Sequence, residues 1–512
     1  MRKSSRRRFE DTSLLLQWIS RTADVLFLIP LCVIGGNALF ALVPFVVLYR
    51  FLVDVFHVTL PFAFSEGFSF LLMRRKRKAF FSAYKALMIM MMVVGFTAAI
   101  IMGLAADPLA HWMLGSGAAA EDYQLLTYGF YGIALLLPIE SILSVYHSIE
   151  ESGQNEKFFV FSFISMQLLR VIAGIVTAFA VYGKEISEIT GMWVVMLVCI
   201  VPSLILLIVE IVRAGGLYPR NIPHGEGSLS LFLQKSLPSF LSLVMHNLYL
   251  LFDVFAAIPL ALYCGMDYSS AIEAYAIFYA GSLTLSLIPL LFTFHVANNS
   301  LVPLENALAK GDGDRIEQQV TSAFVKSLKV IIPFGIFLLL HGDVIARCLL
   351  GNSEGSMYIA LGGVFAIFYG ACVFSSLMME ALHLKGKKNS YWLAGFVFKA
   401  ALVYPLAKQW GMQGVIISGI ISLFVVLFLN LARIKNRALV EYKRIGIMLF
   451  RIILSAFAMH GAIYALSFIG VTGMVENLTE ACMQLCIMVV TGVVTYYMTG
   501  DILKLFHFGR RL

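Results

Sequence analysis

The chain has 512 residues, 60% hydrophobic and 13% charged, with a mean hydropathy of +0.86. Soluble domains are about 45–50% apolar and about 25% charged, so a water-soluble enzyme of this length is excluded. The net charge of +8 would point to nucleic acid in a soluble protein, but in so apolar a chain the basic residues first report membrane topology.

The N-terminal MRKSSRRRFED is basic, and the apolar stretch after it carries Arg21 and Asp24. A secretory signal has a clean apolar core and a small-residue cleavage site, so this stretch is expected to stay as a first spanning helix. Fourteen spans are predicted, at 13–36, 40–72, 80–105, 124–148, 158–182, 191–212, 232–262, 271–303, 322–341, 356–383, 391–409, 412–433, 446–468 and 478–506. A helix needs about 20 apolar residues to cross the hydrocarbon core, and it satisfies its own backbone polar groups there. The runs are too long, and alternate too little, for barrel strands. The fold class is therefore all-α, a polytopic membrane protein of about 14 transmembrane helices.

Charge supports this topology. Of 38 Lys and Arg residues, 29 fall where a fourteen-span chain with both ends inside puts its cytoplasmic segments, and 3 (Lys184, Arg347 and Lys408) fall outside. Both termini are therefore expected in the cytoplasm. Clusters such as Arg74, Arg75, Lys76, Arg77 and Lys78 need no nucleic acid to explain them, and they also suit anionic membrane lipids. The loop after the fourth span, with Glu150, Glu151 and Glu156 beside Lys157, is the exception.

A weak internal repeat divides the chain. Asp107-Pro-Leu-Ala-His-Trp-Met-Leu-Gly115 recurs, 236 residues on, as Asp343-Val-Ile-Ala-Arg-Cys-Leu-Leu-Gly351. Each copy follows the third span of its half. Six spans per half is an even number, so the repeat is parallel, about an axis along the membrane normal. The expected organisation is a six-helix bundle at 1–212, a cytoplasmic linker at 213–231, a second bundle at 232–435, and two extra helices with a short tail at 436–512.

Ser300-Leu-Val-Pro-Leu-Glu-Asn-Ala-Leu-Ala-Lys-Gly-Asp312 resembles the segment after the eighth helix of MOP-superfamily exporters. The likeness is nearest to the branch with MurJ-type lipid II flippases and sporulation stage V protein B-like polysaccharide biosynthesis proteins. Asn247 through Asp253, Gln167 with Arg170, Lys399, and the turn Gly411-Met-Gln-Gly414 are similar too. MurJ-type proteins carry two arginines six apart in the first helix; Arg21 fits one, and Phe27 stands at the other. Glu273 lies where an arginine is expected, and Met166 where an acid often precedes the glutamine. The resemblance implies a plasma-membrane flippase for a lipid-linked cell-wall precursor, either lipid II or a related undecaprenyl-diphosphate oligosaccharide, with cell-wall synthesis enzymes as partners. A cation-coupled multidrug exporter and a non-transporting scaffold are the alternatives.

The charged residues within spans are the candidate site. A cation at a helix centre costs about 2.5–3.5 kcal/mol on insertion scales. Lys85 and Arg451 sit near predicted inner ends, where they can snorkel. Arg21 with Asp24, and Arg50 with Asp54, lie i,i+3 and i,i+4 on shared faces. Arg170 and Lys399 have no acid within four residues and occupy comparable positions in the two halves. Glu66, Glu140, Asp253 and Glu380 are candidate partners. Arg21, Arg50, Arg170 and Lys399 are thus the expected substrate-binding cations, holding a diphosphate by charge-assisted hydrogen bonds in a cavity between rocking bundles. Asp24, Asp54, Glu66 and Asp253 are candidates for ion coupling or charge balance.

The sequence has no phosphate-binding G-x-x-x-x-G-K-[ST] loop, so the energy source is expected to be membrane potential or a coupling cation, Na+ or H+. His57, His111, His147, His246, His295 and His383 show no metal or nucleophile spacing, so no cofactor, metal or enzyme activity is expected. Of seven cysteines, only Cys482 and Cys486 are close in sequence.

Overall fold

The computed structural model describes residues 43–73, 77–154, 156–183, 187–217, 228–350, 353–438, 442–468 and 478–505, with Ile19, Ala23 and Val440 besides. Every regular element among them is helical. In chain order these are α1 (Val43–Val53), α2 (Leu60–Met73), α3 (Arg77–Leu114), α4 (Ala120–Ile149), α5 (Glu156–Tyr182), α6 (Glu188–Leu217), α7 (Ser228–Tyr263), α8 (Tyr268–Tyr275) and α9 (Leu283–Ser286). They continue with α10 (Ile288–Lys310), α11 (Gly313–Leu340), α12 (Gly342–Leu350), α13 (Ser356–Ala381), α14 (Lys385–Trp410), α15 (Met412–Ala438), α16 (Tyr442–Phe468) and α17 (Leu478–Ile502). Three π-helical segments, Asp54–Thr59, Glu150–Gln154 and Ala276–Ser282, interrupt or end these helices.

Twelve stretches of the described residues are long and apolar enough to cross a membrane. They correspond to the second to sixth and the eighth to fourteenth predicted spans. The seventh is α7, with a shorter apolar part at Leu248–Tyr263. The first span lies almost wholly outside the described residues. Side chains that would be buried in a soluble protein face outward here: Val93, Ile100 and Leu104 on α3 are 60%, 63% and 78% exposed. A continuous apolar surface of this kind marks contact with lipid.

The eighth span departs most from a single straight helix. It runs through α8, the π segment Ala276–Ser282 and α9, and restarts at α10 with Pro289 in its first turn. Proline has no N–H to continue a helix through that point. The segment 300–312 ends α10 and begins α11. Gly311 is left-handed at φ 66°, and Asp312 accepts a hydrogen bond from the Arg315 N–H at 3.1 Å. Glycine just after one helix and aspartate capping the next satisfy the orphaned backbone groups of both.

By packing, the chain divides into two units, Met1–Glu273 and Ala274–Leu512. In the first, α3 packs along α4, α6 packs against α4 and α5, and α7 lies on α2 and α3. The packing boundary thus falls after α7, while the Gly-, Pro- and charge-rich composition of 213–231 breaks the sequence before it. In the second unit, α13 packs against α11 and α15, α14 against α15, and α16 against α11 and α17. One close approach is between α11 and α13, where a Cβ at Gly363 would run into the Gly335 carbonyl and one at Gly335 would lie 2.7 Å from the Gly363 carbonyl. Small residues allow helix backbones to meet this closely in membranes.

The two copies of the repeat end differently. The first is the last two turns of α3, closed by Gly115 at φ 67°. The second is a separate helix, α12, after a break at His341.

Gly363→Leu is expected to force α11 and α13 apart and cost about 1–3 kcal/mol, read as a lower thermal midpoint in detergent. Gly103→Leu, where no atom lies within 4 Å of the added Cβ, leaves the midpoint unchanged.

Candidate functional site

The first unit holds a connected group of buried polar side chains. The span formed by α1 and α2 contains the π segment Asp-Val-Phe-His-Val-Thr. A π turn bonds i to i+5 and so inserts one extra residue, which redirects the side chains around it. His57 sits in this segment, its Nε2 2.6 Å from Glu140 Oε2 on α4, with both side chains at most 1% exposed. His57 Nδ1 lies 3.3 Å from Nδ1 of His147, two turns along α4. On the other side Ser203, from α6, donates to Glu140 Oε1 at 2.6 Å. The Phe163 ring meets the His57 ring edge-on at 5.8 Å between centroids.

These distances form a chain for one proton. Glu140 Oε1 accepts from the Ser203 hydroxyl, while Glu140 Oε2 stands in close charge contact with His57 Nε2 without a hydrogen bond between them. The two Nδ1 atoms of His57 and His147 share one proton, donated by whichever ring carries it on Nδ1. A further proton must sit on the carboxylate or on an imidazole.

Arg170 on α5 is 1% exposed, its guanidinium carbon 5.7 Å from the centre of the Tyr49 ring. That is within the range of about 6 Å for cation–π attraction. Tyr49 and Cys199 are in electrostatic range of both Arg170 and Glu140, so this cation and this carboxylate share one neighbourhood. Arg50, next to Tyr49, is buried as well, at 6%. Asp54 opens the π segment and is half-buried, as is Glu66 on α2, while Asp253 on α7 is buried. Arg21 and Asp24 lie outside the described residues.

Lys399 belongs to the second unit and is 0% exposed on α14. Trp392, seven residues earlier on the same face, donates from Nε1 to Ser376 Oγ at 2.9 Å. Asn430 on α15 donates to Ser375 Oγ and Ser376 Oγ at 2.9 and 3.0 Å. Glu380 pairs with Lys388 at 2.9 Å. Of the acid-rich loop after the fourth span, Glu150 is paired, 2.5 Å from Arg213 on α6, which also lies 3.5 Å from Glu210 on its own helix. Among the described residues no group of three or more His, Cys, Asp and Glu is placed to hold a metal.

Sequence reasoning named Glu140 only as a candidate partner for Arg170 and Lys399, and it left His57, His147 and Ser203 unassigned. His57 and His147 are 90 residues apart, and nothing in Asp54–Thr59 marks a π turn. The one available signal was Glu140 itself, an acid deep in an apolar span with no cation within four residues.

The helices are arranged in the fold of the MOP-superfamily transporters. A lipid II flippase MurJ in an inward closed conformation superimposes with a TM-score of 0.68 at 16% identity, over 97% of this chain and 98% of that one. An inward-facing multidrug resistance MATE transporter gives 0.62 at 17% identity, over 82% of this chain and 94% of the other. A MOP-superfamily transporter from Pyrococcus furiosus, described as having a binding pocket of reversed polarity, gives 0.58 at 15% identity, over 85% and 96%. No protein-family model and no curated protein matches the sequence.

Glu140→Ala removes the acceptor of the Ser203 hydroxyl and the charge partner of His57 and is expected to destabilise the protein by about 3–5 kcal/mol. Ser203→Ala, which removes one hydrogen bond to that carboxylate, costs about 1.5–3 kcal/mol. Denaturant unfolding of both variants in the same detergent checks the order.

Proposed function

We propose that the protein is a flippase that moves a lipid-linked oligosaccharide diphosphate across the plasma membrane of a bacterium by alternating access, with both termini in the cytoplasm. One observation carries the reading: the likeness to the MurJ flippase spans 97% of this chain, whereas those to the MATE and Pyrococcus transporters span 82–85%. The uncovered 15–18% of the 512 residues is about as long as 436–512, where the sequence carries a C-terminal pair of helices beyond the twelve-helix plan.

The chemistry of the cargo fits the buried cations. A sugar diphosphate head cannot cross hydrocarbon without losing many hydrogen bonds to water. Arginine and lysine replace that water with charge-assisted contacts to phosphate oxygens. Arg50 and Arg170 are the candidates in the first unit, Lys399 in the second, and Arg21 joins them by its place in the first span. Arg170 and Lys399 are closed off from solvent here, so the cargo reaches them only after the helices around them open. Anionic lipids suit the basic cytoplasmic loops, and enzymes of cell-wall synthesis are the expected partners.

For coupling, the Glu140–His57–His147 chain is our first candidate, with H+ as the cation. Asp24, Asp54, Glu66 and Asp253 are candidates for Na+ or for charge balance. An inward-negative potential would also drive a net negative head outward. The alternative reading is a cation-coupled multidrug exporter. It is favoured by the MATE likeness and by the buried carboxylates Glu140 and Asp253.

The deciding experiment is headgroup translocation in proteoliposomes, with fluorescent lipid II and an undecaprenyl-diphosphate oligosaccharide side by side. Wild type is expected to move one or both, and Arg170→Ala or Lys399→Ala to slow movement at least tenfold, an effect of about 1.4 kcal/mol or more. No movement of either lipid by folded wild type under an imposed potential would reject the flippase in favour of drug export or a scaffold. In the same assay Glu140→Gln is expected to abolish the response to a pH gradient while leaving the response to potential. A full pH response in that variant would exclude Glu140 as the coupling group.

A further inference from the structure

Three cysteines gather in the second unit although the sequence separates them. Cys348 is on the short helix α12, and Cys482 and Cys486 lie one turn apart at the start of α17. Cys348 Sγ is 3.1 Å from Cys482 Sγ, with 134 residues between them in the chain. A disulfide bond is about 2.0 Å long, so closing it takes about 1 Å of movement at side-chain tips. The two helices are already held together. They pack directly, and below the thiols Val344 of α12 joins Met488 and Tyr496 of α17 in one apolar cluster with Met459 and Ile463 of α16.

We infer that Cys348 and Cys482 are a disulfide-forming pair on the outer face of the membrane, which ties the last spanning helix to the body of the second unit. The inference rests on the proposed topology, in which both termini are inside and α12 and the start of α17 are therefore outside. Disulfides persist in that compartment and not in the cytosol.

The oxidant is a carrier protein with a reactive disulfide, and the order of attack follows from exposure. Cys482 is exposed and Cys348 half-buried. Burial, and then the neighbouring Cys482, push the Cys348 thiol up to about 12, so Cys348 is not the first nucleophile. The Cys482 thiolate attacks one carrier sulfur and displaces the other as a thiolate, which leaves a mixed disulfide. Cys348 then gives up its proton and attacks Cys482 Sγ, and the carrier departs as a dithiol. Two thiols are oxidised and one carrier disulfide is reduced, with two electrons and two protons passing to the carrier.

The test counts thiols by mass after alkylation in denaturant, on full-length protein purified without reductant. Wild type is expected to show five alkylated cysteines of its seven before reduction and all seven after it. Cys486→Ser keeps the difference of two, and Cys348→Ser and Cys482→Ser each lose it. Equal counts with and without reductant, or a difference that survives Cys348→Ser, overturns the pair. A second arm treats intact cells carrying Cys348→Ser with a membrane-impermeant maleimide. Labelling of Cys482 supports an outer face. Labelling only after lysis overturns the topology and the inference with it, whereas outer labelling with equal thiol counts rejects the pair and leaves the topology standing.

Discussion

An ionised carboxylate in the middle of a membrane-spanning helix is costly on any scale, and Glu140 occupies such a position at 1% exposure. One of its oxygens accepts from the Ser203 hydroxyl and the other lies against the His57 ring, 2.6 Å from Nε2. That requirement ties together elements that local sequence does not connect. The span of α1 and α2 must carry a π turn to deliver His57, α6 must present a serine at one depth, and α5 brings Arg170 close enough to share the field around Tyr49 and Cys199. The first unit is packed around this exchange of charge and hydrogen bonds.

The second unit meets the same constraint with more neutral groups. Trp392 and Asn430 donate to Ser375 and Ser376 across α13, α14 and α15. A buried amide, hydroxyls and an indole are less sensitive to pH than a carboxylate beside two imidazoles. The two copies of the repeat have also diverged in backbone. Asp107 continues α3, while Asp343 follows a break and lies on a helix of its own. Sequence similarity between the halves therefore does not extend to equivalent local structure.

The spans were legible in the sequence because hydropathy and length are properties of contiguous residues. Helices α3 to α7, α11 and α13 to α17 fall on the predicted runs, extended by up to about nine residues at one end, as in α3 and α11, while α12 falls between two of them. The motif at 300–312 was legible only as a family likeness; that Lys310 ends one helix and Asp312 caps the next is visible in the structure. What could not be read was whatever depends on backbone register or on distant pairs. The π segments look like ordinary helix, His57 and His147 look like isolated packing residues, and Cys348 is remote from Cys482. The buried cations were found as charges in apolar runs, but Glu140 could be placed only once α4 had been set against α6.

The π turn at Asp54–Thr59 carries a mechanical consequence. An α-helix advances about 100° per residue, and the extra residue of a π turn offsets everything on one side of it by a step of that order. The meeting of His57 with Glu140 is thus a statement about winding. If the span were rewound as uninterrupted α-helix, the imidazole would swing to another face and the carboxylate would lose its partner. The extra residue therefore sets which side chain of this span meets Glu140, and with it the facing of the whole second half of the helix.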